Sequence, residues 1–205
     1  APALAVMNPK TIAPAYASME FSMMDAAVTE MARYYGLPAE SSPGGSDTHI
    51  LDIQNSYESG AMAIPTLLSW PDIVVGPGML DGSMVSSLEK MLIDVEIFRL
   101  GKQSHRGVTT SEENWLTDVI KKVGPGGNYL CERSTVKAVR SDEWYISDFG
   151  SHDTFENWDM GDKKGLLEEA HEKVNHILKT HPLLPLGDDV EKELARICRR
   201  AKEAS

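Results

Sequence analysis

Apolar and polar positions follow a recurring rhythm: a short apolar run, a turn rich in Gly, Pro, Ser and Asp, then a longer stretch with a helical period. The first run, Ala3 to Met7, leads through Asn8-Pro9-Lys10 to a helix that Ser18 caps and Gly36 stops. Its apolar stripe is Met19, Met23, Ala27, Met31 and Tyr35, expected to face the core, since methionine stripes are core packing far more often than ligand surface. A second run, Leu37 to Ser42, precedes Pro43-Gly44-Gly45-Ser46-Asp47 and a helix with Ile53, Tyr57, Ala61, Ile64 and Leu68 on its inward face. Pro65 should kink that helix or end it early. The third unit has Ile73-Val74-Val75 as a buried strand, Gly76-Pro77-Gly78 as its breaker and Val85, Leu88, Leu92 and Val95 as a helical stripe. A further helix is capped by Ser111, carries Leu116, Val119, Ile120 and Val123, and stops at Gly124-Pro125-Gly126-Gly127. Tyr129-Leu130-Cys131 reads as the fourth strand. Beyond it, Trp144, Tyr145, Phe155 and Trp158 suggest an outer layer, followed by helices at Leu166 to Leu178 and Asp189 to Ala201.

Four such units in series predict an α/β fold with parallel strands, because parallel neighbours need helical crossovers. Residues 1–140 form the four units, and residues 141–205 form a helical extension packed on them. Periodicity leaves two architectures open: a small doubly wound sheet, or half of an eight-stranded barrel.

Charge narrows the functional classes. Twenty Lys and Arg against thirty-one Asp and Glu give a net charge of −11, which argues against tracking a phosphate backbone and mildly favours cationic ligands. No apolar stretch of about 18 residues suggests a membrane span. The two cysteines, Cys131 and Cys198, have no zinc-site spacing and suit a reducing cytoplasm. The chain opens at Ala1 without methionine or a signal-peptide pattern, as the cut end of something longer would.

In either architecture ligands sit at the carboxyl ends of the strands, so the turns there carry the candidate chemistry. They hold Gly44, Gly45, Ser46, Asp47 and His49; Gly78, Asp81 and Gly82; and Glu132, Arg133, Ser134 and Thr135. A double glycine lets a ligand approach the backbone, although a tight turn with Asp47 or Asp52 as helix cap needs the same residues. Phosphate loops, nucleophile elbows, zinc-binding helices and dinucleotide fingerprints are absent from the sequence. Pro77 removes the backbone donor that a phosphate loop would need at Gly76-Pro77-Gly78. Of the six histidines, only His49 falls in a strand-end turn.

Several segments occur in a telling order. They are Tyr34-Tyr35-Gly36-Leu37-Pro38, Gly44-Gly45-Ser46-Asp47, Asp52-Ile53-Gln54, Gly78-x-Leu80-Asp81-Gly82 and Ser87-x-Glu89-Lys90 leading to Asp94. Ser111-Glu112-x-Asn114, Val123 to Gly127 and Phe155-Glu156-x-Trp158 follow. With them the chain, from about Pro2 onward, resembles the C-terminal region of the trimethylamine:corrinoid methyltransferase family. The resemblance implies the C-terminal half of a TIM (β/α)8 barrel: four parallel strands, the fifth to eighth, with outer helices plus C-terminal helices. It also implies a methylamine or quaternary ammonium substrate at the barrel mouth and a separate corrinoid protein that docks there. Members acting on trimethylamine carry pyrrolysine where Gly44-Gly45 stands. The ordinary residues here are like those of the branch associated with quaternary amines such as glycine betaine. His49 replaces a lysine common in the family, and Ser134-Thr135 replaces a His-Thr pair, so no particular amine is carried across.

The implied chemistry accounts for the missing triad. Cobalt(I) on the partner attacks a methyl carbon, and a neutral tertiary amine leaves without needing a proton. The barrel then binds and orients, with no catalytic side chain, metal site or directly bound cofactor of its own. A quaternary ammonium offers no N–H, so aromatic faces and carboxylates must recognise it. The substrate-binding candidates are Gly44 and Gly45, which leave room; the carboxylates Asp47, Glu58 and Asp81; Tyr57 and Tyr129 as aromatic walls; His49 for an anionic substrate tail; and Gln54 beside them. Bland roles compete, with both tyrosines in the core and Glu58 solvated. Unpaired strand edges and an opened barrel core predict a homo-oligomer. The alternative function is a non-catalytic half-barrel that serves as an assembly or binding subunit.

Overall fold

In the computed structural model, residues 6–42, 45–182 and 185–203 are described. Two compact units divide the chain, Ala1–Val174 and Asn175–Ser205. Of the first expected strand, Ala3 to Ala5 lie outside the described residues, and Met7 makes only an isolated antiparallel bridge to Pro14. Helix α1 (Met19–Tyr34) starts where Ser18 accepts the Phe21 N–H, and the chain leaves it through Gly36 at a φ of +67°. Strand β1 (Glu40–Ser41) follows, then α2 (Ile53–Ser69), whose cap Asp52 accepts the Asn55 N–H. Pro65 does not end α2, which continues to Ser69.

Strand β2 (Ile73–Val74) pairs in parallel with β1, Glu40 opposite Ile73 and Ser41 opposite Val74. A hairpin intervenes before the next helix: β3 (Met79–Leu80) pairs antiparallel with β4 (Val85–Ser86). Val85 is therefore a strand residue, not the start of a helical stripe. Helix α3 (Leu88–Arg106) begins after its cap Ser87. Among the described residues one parallel pair is present, not four parallel strands. The expected fourth strand fails because local turn bonds win: Asn128 accepts the Leu130 N–H, and Tyr129 O accepts the Glu132 N–H.

The larger surprise is which helix faces are buried. Phe21, Ser22, Asp25 and Thr29 of α1 face inward, while Met19, Met23 and Met31 are exposed. On α2 the buried set is Asn55, Glu58, Ser59, Met62, Ala63, Thr66 and Ser69, and Ile53, Tyr57, Ile64 and Leu68 lie outward. Helix α3 buries Lys90, Asp94 and Glu96. Small polar residues let the helices approach closely, as where the Ser22 hydroxyl donates to Met62 O at 3.1 Å. Most of the buried polar groups are paired with one another or with backbone, as such burial requires, while Asp25 Oδ1, Asn55 Nδ2 and Glu96 Oε2 make no hydrogen bond.

From Gly107 to Gly165 the chain forms a 3-10 turn (Glu112–Asn114) and helices α4 (Thr117–Val123), α5 (Arg133–Val139) and α6 (Phe155–Met160). Trp144 and Phe155 are exposed rather than packed as an outer layer. Tyr145 is tied to α3 by donating to Glu96 at 2.7 Å, and burial first, then that bond, push its pKa up to about 12. Helix α7 (Leu166–Thr180) buries Ala170 and Val174. The C-terminal unit contains the end of α7 and α8 (Asp188–Glu203), with acidic residues in the first turn of α8 and basic ones in its last, as the helix dipole favours.

Candidate functional site

The turn after β1 and the turn of the β3–β4 hairpin converge. Asp81 N–H donates to Thr48 O at 2.9 Å and Gly82 N–H to Ser46 O at 3.3 Å, so backbone alone joins the two turns. Tyr16, from the segment before α1, lies against both. A Cβ built on Gly45 would stand 3.3 Å from Tyr16 Cβ, and one on Gly82 would stand 3.6 Å from its ring. Gly45 is thus glycine because another chain segment already fills the space that a side chain would take.

The carboxylates here divide by role. Glu58 reaches in from α2 and accepts the Ser46 hydroxyl at 2.8 Å, the Asp47 N–H at 3.1 Å and the Gln54 amide at 2.7 Å. Asp47 accepts the Tyr16 and Ala17 N–H groups at 3.1 and 3.2 Å, while burial raises its pKa. Both are anchors for backbone rather than open cation ligands. Asp81 differs. It holds a φ of +51°, and its Oδ1 lies 2.8 Å from His49 Nδ1, with side-chain exposures of 41% and 78%. This pair is the open polar feature of the two turns.

Similar anchoring continues beneath. Asp25 of α1 accepts the Ser42 N–H at 3.2 Å and the Ser41 hydroxyl, and burial raises its pKa. Asp94 of α3 accepts the Gly78 N–H at 2.8 Å and is gripped by the fully buried Lys90 ammonium at 2.6 Å, which also donates to Ser59. Burial raises Asp94 more than Lys90 lowers it. Beside the site, Leu51, Leu167, Glu89, Glu168, His171 and Glu172 line a hollow of about 630 Å³. Glu89 meets His171 Nδ1 at 2.9 Å and the Ser87 hydroxyl at 2.7 Å, and these bonds, the histidine's first, hold its carboxyl at about 2.

Of the residues singled out in the sequence, Gly45, Asp47, His49, Gln54, Glu58 and Asp81 gather around these turns. Tyr57 does not, because it lies on the outward face of α2. Tyr129, in a turn before α5, is exposed, so neither tyrosine is core. Glu58 is buried, not solvated. Gly44 lies outside the described residues. Sequence reasoning names Ser46 within the strand-end turn but misses Tyr16 and Thr48. The Ser-Asp-Thr run after a double glycine is the signal for Thr48, whereas nothing local marks Tyr16.

With this geometry in place, the family can be stated. The chain belongs to the trimethylamine methyltransferase (MTTB) family, whose model matches residues 1–205. It is 32% identical over 193 residues to trimethylamine methyltransferase MttB of Methanosarcina barkeri (strain Fusaro / DSM 804), covering 91% of this chain and 37% of that protein. To the MttB of Desulfitobacterium hafniense (strain DSM 10664 / DCB-2) it is 29% identical over 198 residues, 97% of this chain and 40% of the relative. The glycine betaine methyltransferase of Desulfitobacterium hafniense (strain Y51) is 30% identical over 188 residues, 91% of this chain and 39% of the relative. The chain therefore spans well under half the length of these relatives.

Proposed function

We propose that this chain forms part of the substrate mouth of a methyltransferase that moves a methyl group from a methylated or quaternary amine to a corrinoid protein. One observation carries the reading: the turn after β1 meets the β3–β4 hairpin turn, which lies in the connection following β2, beside Tyr16, and the His49–Asp81 pair is exposed there. In a (β/α)8 barrel the site lies at that end of the strands, and β1 and β2 with their following helices would supply part of it. The bound cation would meet the Asp81 carboxylate and the Tyr16 ring face, and His49 would direct an N–H at an anionic substrate tail. Gly45, with Gly44 beside it in sequence, would leave the substrate room. The donor set of one imidazole and one carboxylate suits binding and orienting. The corrinoid, carried by the docked partner, supplies the methyl-accepting centre when bound.

The test uses a polypeptide of the relatives' full length with reduced corrinoid protein and glycine betaine, carnitine, choline or trimethylamine, following methylcobalamin formation by absorbance. Turnover with at least one amine is expected, with Asp81→Asn raising KM more than it lowers kcat. Residues 1–205 alone should not turn over, because a barrel site needs the loops of all eight strands, and misplacement by about 1 Å can cost roughly a hundredfold. Binding of only phosphorylated or dinucleotide ligands at these turns would overturn the reading.

A further inference from the structure

Lys90 and Asp94, one turn apart on α3, are 0% and 1% exposed. An ion pair is a costly way to fill an interior. Two charges taken out of water need excellent geometry to recover their desolvation, and replacing such a pair with apolar side chains of similar volume is often neutral or stabilising. Stability alone therefore does not account for this one.

Its contacts do. Asp94 accepts the Gly78 N–H at 2.8 Å, and Gly78 O accepts the Ser87 N–H at 2.9 Å, so both backbone groups of Gly78 are engaged at the base of the β3–β4 hairpin. A Cβ there would stand 2.8 Å from Ser87 O, so the hairpin base is pressed directly on the start of α3. Asp81 lies three residues further along, in the hairpin turn. Lys90 Nζ donates to both Asp94 oxygens, at 2.9 and 2.6 Å, and to the Ser59 hydroxyl of α2 at 2.8 Å. Next to Ser59 in sequence, Glu58 holds the Ser46 hydroxyl and the Asp47 N–H of the other turn. The circuit closes where the Asp81 N–H donates to Thr48 O at 2.9 Å, beside the His49–Asp81 contact.

We infer that Lys90 and Asp94 are positioning residues, which fix the hairpin against α2 so that Asp81 meets His49. Both side chains are buried, so they act on a ligand only through the pair they aim. This role rests on the methyltransferase reading where turnover is the readout, and on the fold alone where the readout is hydrogen exchange.

The deciding variant is Lys90→Met/Asp94→Leu in a polypeptide of the relatives' full length, since Lys90→Met alone strands the buried carboxylate and loses stability. With the whole pair made apolar, Tm should stay within about 5 °C of the unaltered polypeptide's. Amides of residues 79–84 should exchange faster by about tenfold or more, read by mass spectrometry, while those of residues 60–68 in α2 keep their rates. In methyl transfer from glycine betaine, carnitine, choline or trimethylamine to reduced corrinoid protein, KM should rise about tenfold with a smaller change in kcat. Unchanged exchange at residues 79–84, or an unchanged KM, would overturn the inference. So would a fall in Tm as large as that of Lys90→Met alone, which would make the pair ordinary structural support. If the unaltered polypeptide transfers no methyl group from any of these amines, the methyltransferase reading fails, and hydrogen exchange alone decides the positioning role.

Discussion

Residues 6–106 and 107–165 are held together in different ways. In the first region, turn amides are gripped from afar: Ser42 by Asp25, Asp47 by Glu58, Gly78 by Asp94 and Ala39 by Asp72. In the second, Phe149 alone is buried, and most backbone bonds close over two to five residues. Buried amides left unpaired cost about 1–3 kcal/mol each, so the first region depends on its helix carboxylates for order that the second obtains from neighbouring residues and water. The comparison shows that a densely anchored core can be polar when most of its buried polar atoms have partners.

Paired variants can break this contrast. The largest effect is expected at Lys90. Changing Lys90→Met strands the Asp94 carboxylate in the interior and should cost about 3–5 kcal/mol, read from urea denaturation. Lys122→Met, which breaks the exposed ion pair with Glu132, should cost at most about 1 kcal/mol. Equal losses from the two would erase the distinction.

Next come two glycines with similar backbones. Gly78 has a φ of +88°, and a Cβ there would stand 2.8 Å from Ser87 O and 3.0 Å from Met91 Cβ; Gly126 has a φ of +75° and open space. Gly126→Ala should cost about 1 kcal/mol from the left-handed backbone alone. Gly78→Ala should add about 1–3 kcal/mol of overpacking to the same strain. Thermal denaturation of both variants separates strain from crowding.

The smallest effect concerns acid. The Glu89 carboxyl is depressed from 4.5 to about 2, so the stability it contributes is complete above pH 4.5 and disappears as pH falls toward 2. Burial raises Asp25 and Asp94, which has the opposite sign: their ionised forms weigh against folding at neutral pH, and acid relieves that. Glu89→Gln should therefore lower Tm above pH 4.5 and converge with the unaltered chain near pH 2. A constant offset across that range would show that the His171 contact contributes through packing instead.

Much of the local punctuation was readable beforehand. Ser18 and Asp52 cap helices, Gly36 and Gly124 end them, and the two terminal helices lie where their period placed them. The orientation of the first two helices was not. Periodicity distinguishes two faces, and the rule that apolar faces turn inward then chose the wrong one, because Asp25, Glu58 and their small neighbours have partners that only tertiary contact reveals. The same limit governed the site. Its polar turns were visible, yet that Asp47 and Glu58 hold backbone while Asp81 stays open depends on Tyr16 and Ala17, some thirty residues away from Asp47.

The long-range grip on these turns also bears on how such a protein can diverge. Since Ser42, Asp47 and Gly78 are positioned through their amides by carboxylates on helices, their own side chains carry little of the task of keeping the loops in shape. Serine at position 42 can be exchanged with its amide still in the hand of Asp25. Position 49, whose imidazole projects into solvent, is freer still. A lineage can therefore change the side chains these turns display, residue by residue, while the scaffold that aims them stays intact.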